Sequence, residues 1–179
     1  MTSRQGDPDP EPDPEGIARA IALRRLAAAP QTRAQLDDAM RRRNVPDEIR
    51  DRVLTRFAEV GLIDDAMFSE AWVESRHAGR GLAKRALAFE LRRRGVEPTV
   101  VDEAVDNLPA EREEATARAL VAARLAGTRG LDPGARTRRL AGMLGRKGYP
   151  AGLAFRVVRD ALAAEGVSDE DLPAEPGTE

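Results

Sequence analysis

Positively charged residues recur in three short clusters, and their chemistry suits the binding of anions. The clusters are Arg41, Arg42 and Arg43; Arg92, Arg93 and Arg94; and Arg146 with Lys147. A guanidinium group forms paired, charge-assisted hydrogen bonds with phosphate or carboxylate oxygens. We therefore expect the clusters to contact the phosphates of a nucleic acid or the acidic surface of a protein. The alternative interpretation is that they only solvate the surface and complement helix dipoles.

Three further cations complete what we call the predicted basic face. Lys84 and Arg85 stand shortly before the second cluster and can extend it. Arg76 has two interpretations that the sequence does not separate: an ion pair with Asp65 or another acid, and a contact with a phosphate.

Residues suited to catalysis are few. His77 is the only histidine, and without any cysteine the chain has neither a Cys–His pair nor a thiolate metal site. We interpret His77 as a surface or capping residue at a helix end. Adjacent acids such as Asp37 and Asp38 diverge by about 100° on a helix and chelate metals poorly. With no Walker-type loop either, we expect a protein that is not an enzyme and has no catalytic residue, cofactor or metal.

An internal repeat positions the basic clusters. Each copy starts with a leucine, has a second apolar residue four positions later, and continues with the basic cluster, Asn or Gly, an apolar residue and proline. The copies start at Leu36, Leu87 and Leu140, which are 51 and 53 residues apart. A spacing of four places both apolar residues on one helix face. The pattern therefore predicts a helix, a tight stop and another helix in every copy.

The residues that follow each cluster suit the end of one helix and the start of the next. The left-handed conformation that stops a helix is expected at Asn44, Gly95 and Gly148. The prolines that open the next helices are Pro46, Pro98 and Pro150. Gly61 is a plausible cap for the last helix of the first repeat, and Asp64 or Asp65 for the helix after it.

A further helix precedes each pair, so that every repeat contains three. The first helices are predicted at about 17–29, 66–78 and 113–126; the middle ones at about 32–44, 82–94 and 135–147; and the last ones at about 46–60, 98–107 and 150–164. A unit of about 50 residues has a marginal core, so neighbouring units should stack. We expect an all-α fold of three tandem three-helix repeats, at 17–63, 64–110 and 111–165, in an elongated, curved array.

Charge is segregated along the chain. Residues 1–16 hold five acids and one base, and residues 165–179 hold six acids and no base. Because the whole chain carries a net charge of −2, residues 17–164 carry +8. We expect residues 1–16 and 166–179 to be disordered acidic tails, and the basic body to bind an anionic partner.

The sequence also bears on the compartment. It contains no cysteine, no apolar run near the roughly 20 residues that span a bilayer, and no basic segment followed by an apolar one at its start. We expect a cytoplasmic protein without a membrane partner.

Two segments in fixed order carry a resemblance to a known family. The first runs from Gly61-Leu62-Ile63-Asp64-Asp65 through Phe68 to Trp72-Val73 and Arg76, and the second from Glu90-Leu91 through Arg94 to Gly95-Val96. Together they resemble the signature of the RecX family. Leu62 departs from it, because the family commonly has an aromatic residue there. We interpret Phe68 and Trp72 as core residues.

The resemblance implies a modulator of the RecA recombinase, usually an inhibitory one, that serves DNA repair, homologous recombination and the SOS response. Family members look like crescents of three-helix repeats that lodge in the groove of the RecA–single-stranded DNA filament. There they would block strand exchange and the coupled ATP hydrolysis.

Three hypotheses follow. The first is a monomeric regulator of the recombinase filament that touches single-stranded or duplex DNA through phosphates, independently of sequence. The second is a free-standing, non-specific DNA-binding helical protein, and the third is a scaffold whose basic face meets an acidic protein. Aromatic residues are few and most look buried, so stacking on bases is not expected.

Overall fold

The structure, a computed structural model, describes residues 13–168. All regular secondary structure in this range is helical, which confirms the predicted all-α class. The α-helices in chain order are α1 Pro14–Ala28, α2 Arg33–Arg41, α3 Asp47–Glu59, α4 Asp65–Arg80, α5 Lys84–Arg92, α6 Pro98–Asp106, α7 Ala110–Leu125, α8 Pro133–Arg146 and α9 Ala151–Ala164. A 3₁₀ turn, Ala126–Thr128, follows α7. Of the predicted disordered tails at 1–16 and 166–179, positions 1–12 and 169–179 lie outside the described residues. Pro14, Glu15 and Gly16 belong to α1, so the prediction of disorder is wrong for them.

The helices follow the predicted order, three to a repeat, but the basic clusters sit differently from the prediction. Instead of forming the last helical turn, the first two clusters straddle the helix end. Helix α2 ends at Arg41 and α5 at Arg92, so that the other arginines of each cluster lie in the turn that follows. In the third repeat, Lys147 is the C-cap of α8.

The three helix stops share one geometry, as the repeat predicts. Asn44, Gly95 and Gly148 have φ angles of 57°, 76° and 91°. In each repeat the amide of the next residue donates a hydrogen bond to the carbonyl five residues back, from Val45 to Met40 and correspondingly in the other two. The donor residues are all buried apolar or aromatic side chains: Val45, Val96 and Tyr149. This is the arrangement of a Schellman motif, which accounts for the glycine or asparagine at each stop.

The described chain divides into two compact units at residue 68, so that most of the second and all of the third predicted repeat share one unit. In the first unit α1, α2 and α3 pack on one another around the core residues Leu36, Met40, Val53, Leu54 and Phe57. Helix α1 begins at Pro14, capped by Asp13, which is earlier than predicted.

Asp64 and Asp65, which are adjacent in the sequence, have separate structural roles. Asp64 Oδ1 accepts a hydrogen bond from the Met67 amide at 2.9 Å and caps α4. Asp65 Oδ1 accepts one from the Arg33 amide at 2.9 Å, which ties the start of α4 to the start of α2. Burial raises the pKa of Asp65, and the bond from Arg33 opposes that rise. The capping interpretation therefore holds for Asp64.

In the second unit, α5 packs on α6, and α7, α8 and α9 pack together. Several hydrogen bonds join the second and third repeats, and three of them surround the start of α5. The Ala83 amide donates to the Lys147 carbonyl at 2.9 Å, the Tyr149 hydroxyl to the Gly81 carbonyl at 3.1 Å, and the Lys84 amide to Glu113 at 2.8 Å. Burial raises the pKa of Tyr149 to about 12. The C-terminal end of α8 is thereby held against the start of α5.

Among residues 13–168, no helix combines the length and the apolar character needed to cross a bilayer.

Candidate basic surface

The first basic cluster is largely neutralised by its own helix. Arg41 and Arg42 both form ion pairs with Asp38, which lies three and four residues before them, about one helical turn away. Arg43 is exposed and forms no ion pair with any residue of the described range. Of the three cations, Arg43 is therefore the one whose charge is most available to a partner.

The second cluster is engaged in three different ways. Arg92 pairs with Asp102 of α6 at 3.0 Å. The Arg93 guanidinium lies 5.8 Å from the centroid of the Phe89 ring, and that of Arg94 lies 3.7 Å from the Trp72 ring. Arg93 is thus an exposed cation held by an aromatic ring, without a neutralising acid in the described chain.

A polar network surrounds Trp72, contrary to its interpretation as a core residue. The indole is half-buried, and its Nε1 donates to Glu90 Oε2 at 2.9 Å. The same oxygen accepts from Arg76 Nε at 3.0 Å, and the Arg76 guanidinium lies 4.5 Å from the Trp72 ring centroid. Arg76 therefore forms the ion pair that was one of its two interpretations, with Glu90 as partner rather than Asp65.

The third cluster lies beside the start of α5. Lys147 Nζ donates to the Arg80 carbonyl at 2.6 Å, and Lys84 lies 4.0 Å from Asp106. Arg85 and Arg146 are exposed and have no ion pair within the described range. A helix of nine residues is roughly 12 Å long. The second and third clusters are therefore separated by the length of α5, with Arg85 between them.

An exposed aromatic side chain stands among these cations. Phe89 of α5 is 61% exposed and lies four residues after Arg85 and four residues before Arg93, the C-cap of the helix. The buried face of α5 consists of Leu87, Ala88 and Leu91, so the helical period leaves Phe89 on the solvent side. The helical period of α5 is therefore the feature of the sequence that could have predicted the exposure of Phe89. The expectation that most aromatics are buried is wrong: of the six in the chain, only Phe57 and Tyr149 are buried.

His77 is a buried structural residue, contrary to its interpretation as a surface group. It is 2% exposed, with Nδ1 at 2.8 Å from the Leu82 carbonyl oxygen and Nε2 at 2.9 Å from the Thr116 hydroxyl. At the end of α4 the ring packs against α7. Because His77 and Thr116 are 39 residues apart in the chain, the sequence did not indicate this contact. Both ring nitrogens have partners, and the ring links the second repeat to the third.

Comparison with known proteins identifies the family. Residues 18–57 match the model of the RecX first three-helix domain, and residues 64–105 match that of the second. A protein of Thermobifida fusca named Regulatory protein RecX is 60% identical to the chain over 96% of this chain and 94% of its own length. The chain belongs to the RecX family. The Regulatory protein RecX of Streptomyces lividans is 58% identical, covering 96% of this chain and 91% of that protein.

Solved RecX structures share the fold. The crystal structure of RecX from Lactobacillus salivarius superposes with a TM-score of 0.79 at 13% identity, covering 84% of this chain and 98% of that one. A second crystal structure, that of a regulatory protein RecX, superposes with a TM-score of 0.73 at 18% identity, covering 83% of this chain and 72% of that one. At these identities the likeness establishes the tandem three-helix architecture, which the described helices also have.

Proposed function

We propose that the protein is a cytoplasmic, non-enzymatic regulator that binds RecA–single-stranded DNA filaments and inhibits strand exchange and the coupled ATP hydrolysis. The observation that carries the proposal is the high identity, over almost the whole chain, to proteins named Regulatory protein RecX. The mechanism is occupancy. The protein contacts neighbouring recombinase subunits and the DNA phosphates through its predicted basic face, and thereby excludes the second DNA duplex.

The state of the individual cations supports a ranking within that face. A cation that already pairs with an acid must give up that pair before it can bind a new anion, whereas an unpaired exposed one need not. Within the described range, Arg43, Arg85 and Arg93 are exposed and unpaired. Phe89 adds an apolar ring of the kind that is enriched at interfaces, beside two of them. We infer that α5 presents the central contact.

The test is RecA-catalysed strand exchange and DNA-dependent ATPase activity with the protein titrated in. We expect inhibition at or below one protein per recombinase subunit. The double variant Arg85→Glu/Arg93→Glu should weaken the inhibition about tenfold or more, because each change replaces a favourable charge by a repulsive one. Arg138→Glu/Arg159→Glu is the matched control, since both residues are exposed and have no ion pair in the described chain. Absence of any effect at parity would refute the proposal.

A free-standing, non-specific DNA-binding protein is the second candidate, and the unpaired cations are the observation that favours it. The two functions differ in what they bind. A filament regulator binds recombinase-coated DNA more tightly than bare DNA, and part of this preference persists when salt is raised. A simple DNA-binding protein loses affinity steeply with salt and has no preference for the coated strand. Binding to both substrates at several salt concentrations therefore separates them.

A further inference from the structure

A groove between α7 and α8 in the third repeat is lined by cations on both sides. Arg124 belongs to α7, Arg139 and Arg146 belong to α8, and Lys147 follows α8 directly. The rest of the lining consists of Leu120, Gly127, Thr128, Leu140 and Met143. Arg139, Met143 and Arg146 are spaced by four and three residues, which places them on one face of α8. The arginines therefore point along a common groove from two helices.

The groove contains no acidic residue to balance these charges. Its lining has no carboxylate, and Arg124, Arg139 and Arg146 form no ion pair with any residue between 13 and 168. The three are exposed side chains. Like charges gathered in one concave surface raise the local potential and repel one another, and an anion bound between them relieves that repulsion.

Elsewhere in the third repeat, four arginines form ion pairs with acids: Arg118, Arg129, Arg136 and Arg156. Where α7 faces α9, Arg118 pairs with Glu114 at 2.8 Å and with Asp160 at 3.0 Å. Arg156 of α9 also pairs with Glu114, at 2.8 Å. These pairs lower the pKa of Glu114. The same helix is thus electrically balanced on its α9 side and carries uncompensated charge on its α8 side.

The far end of α8 is balanced in the same way. Arg136, nearly buried, forms an ion pair with Glu165, and Arg129 pairs with the same carboxylate at 2.8 Å. The two guanidiniums lower the pKa of Glu165. Arg139, one turn further along α8, has no such partner among residues 13–168. Arg138 and Arg159 are also exposed and unpaired in the described chain, but neither lines the groove, so the groove is where several unpaired cations come together.

We propose that the α7–α8 groove is a binding site for the phosphodiester backbone of a single-stranded nucleic acid. A polyanion with evenly spaced charges matches arginines on both walls, and a positively charged groove that tracks the backbone is a common way to hold a single strand. The groove is bounded by two neighbouring helices, each about 10–12 Å across with its side chains. A flexible single strand can follow such a short groove, whereas a stiff duplex contacts its rim. Arg146 and Lys147 also belong to the predicted basic face, whereas Arg124 and Arg139 do not, so the groove extends that face by a second wall of cations.

The test is the salt dependence of binding to a single-stranded oligothymidylate, measured by fluorescence anisotropy. For Arg124→Gln/Arg139→Gln/Arg146→Gln we expect the slope of log K against log salt to fall by about 2, since each phosphate contact contributes about 0.7. Because the counterion contribution vanishes near 1 M salt, a slope change of about 2 corresponds to a loss of affinity of roughly a hundredfold at about 0.1 M. The control, Arg24→Gln/Arg138→Gln/Arg159→Gln, removes the same charge from exposed, unpaired positions outside the groove and should change the slope little.

Several results would overturn the site. Equal losses in the groove and control variants would show that only net charge matters. Equal losses for duplex and single-stranded DNA would contradict a single-strand groove. Competition by polyglutamate as effective as that by oligothymidylate would assign the groove to acidic protein segments instead. Lysine at the three groove positions should preserve most of the slope, and its complete loss there would contradict the charge argument.

The experiment contains no recombinase, so its outcome is independent of the proposed function. Groove variants that bind oligothymidylate normally would refute the groove while leaving filament inhibition intact. A wild-type chain that fails to inhibit RecA, but whose groove variants lose oligothymidylate binding, would refute the proposed function and retain the groove.

Discussion

At the scale of single residues, the chemistry of this protein depends on which cations are already satisfied. Glu90 is the clearest case, because one carboxylate oxygen accepts hydrogen bonds from both Trp72 and Arg76. The carboxylate thereby fixes the orientation of a half-buried indole and of a guanidinium that lies over it. Arg76, which looks available to a partner in the sequence, is therefore a structural residue in the folded chain.

We predict that Glu90→Ala lowers the free energy of unfolding by roughly 1 to 2 kcal/mol, because two donors lose a charged acceptor at a partly exposed site. Trp72 is the only tryptophan of the chain, so its fluorescence should report the change directly through a shift of the emission to longer wavelength. Chemical denaturation followed by that fluorescence measures both effects. Glu103→Ala, an exposed acid without an ion pair in the described chain, is the control and should change neither. An unchanged Glu90→Ala variant would mean that the network contributes nothing to stability.

At the scale of the helices, a repeated stop fixes where one helix ends and the next begins. Gly148 combines a φ of 91° with close packing, since a Cβ at this position would lie 2.5 Å from the amide nitrogen of Ala86. The glycine therefore serves both the turn and the approach of α8 to α5. Gly145, only three residues earlier, lies inside α8, and a Cβ there would meet nothing within 4 Å.

These two glycines give a matched prediction. Gly148→Ala should destabilise the protein by about 3 kcal/mol or more, because it adds left-handed strain and a steric clash with backbone that cannot move freely. Gly145→Ala should be neutral or stabilise by up to about 1 kcal/mol, because alanine favours a helix interior. Thermal unfolding, followed by circular dichroism in the helix band at about 222 nm, compares the melting temperatures of the two variants. Similar melting temperatures for both variants would contradict the close approach.

At the scale of the whole molecule, the distribution of charge is the dominant feature. Residues 13–168 carry a net charge of +5, residues 1–12 carry −2 and residues 169–179 carry −5. A basic body covalently joined to acidic segments presents any external polyanion with an internal competitor. We therefore expect the acidic segments to weaken nucleic-acid binding through the charge they carry.

We predict that a chain of residues 13–168 binds bare single-stranded DNA about threefold to tenfold more tightly than the full chain at low salt, and that salt above about 0.3 M removes the difference. The truncation keeps Asp13, the cap of α1, and Val167, which packs on the third-repeat core. A full-length chain with its acids at 1–12 and 169–179 changed to amides is the control, and should bind like the truncated one. Equal affinity of all three chains at low salt would rule out charge competition.

The sequence by itself determined the features that are encoded locally. The spacing from Leu36 to Met40, and the asparagine or glycine at each stop, specify a helix and its end through neighbouring residues alone. The order of the helices, their grouping in threes and the family resemblance follow from such local patterns.

Only the tertiary structure decided which side chains remain available, because ion pairs and grooves join residues that are distant in the chain. Arg92 and Arg93 are neighbours, yet one pairs with Asp102 of the next helix and the other does not. Arg124 and Arg139 belong to different helices and line one groove only because α7 packs on α8. Helical periodicity tells which face of one helix is apolar, but the charge on the opposite face depends on what the fold brings beside it.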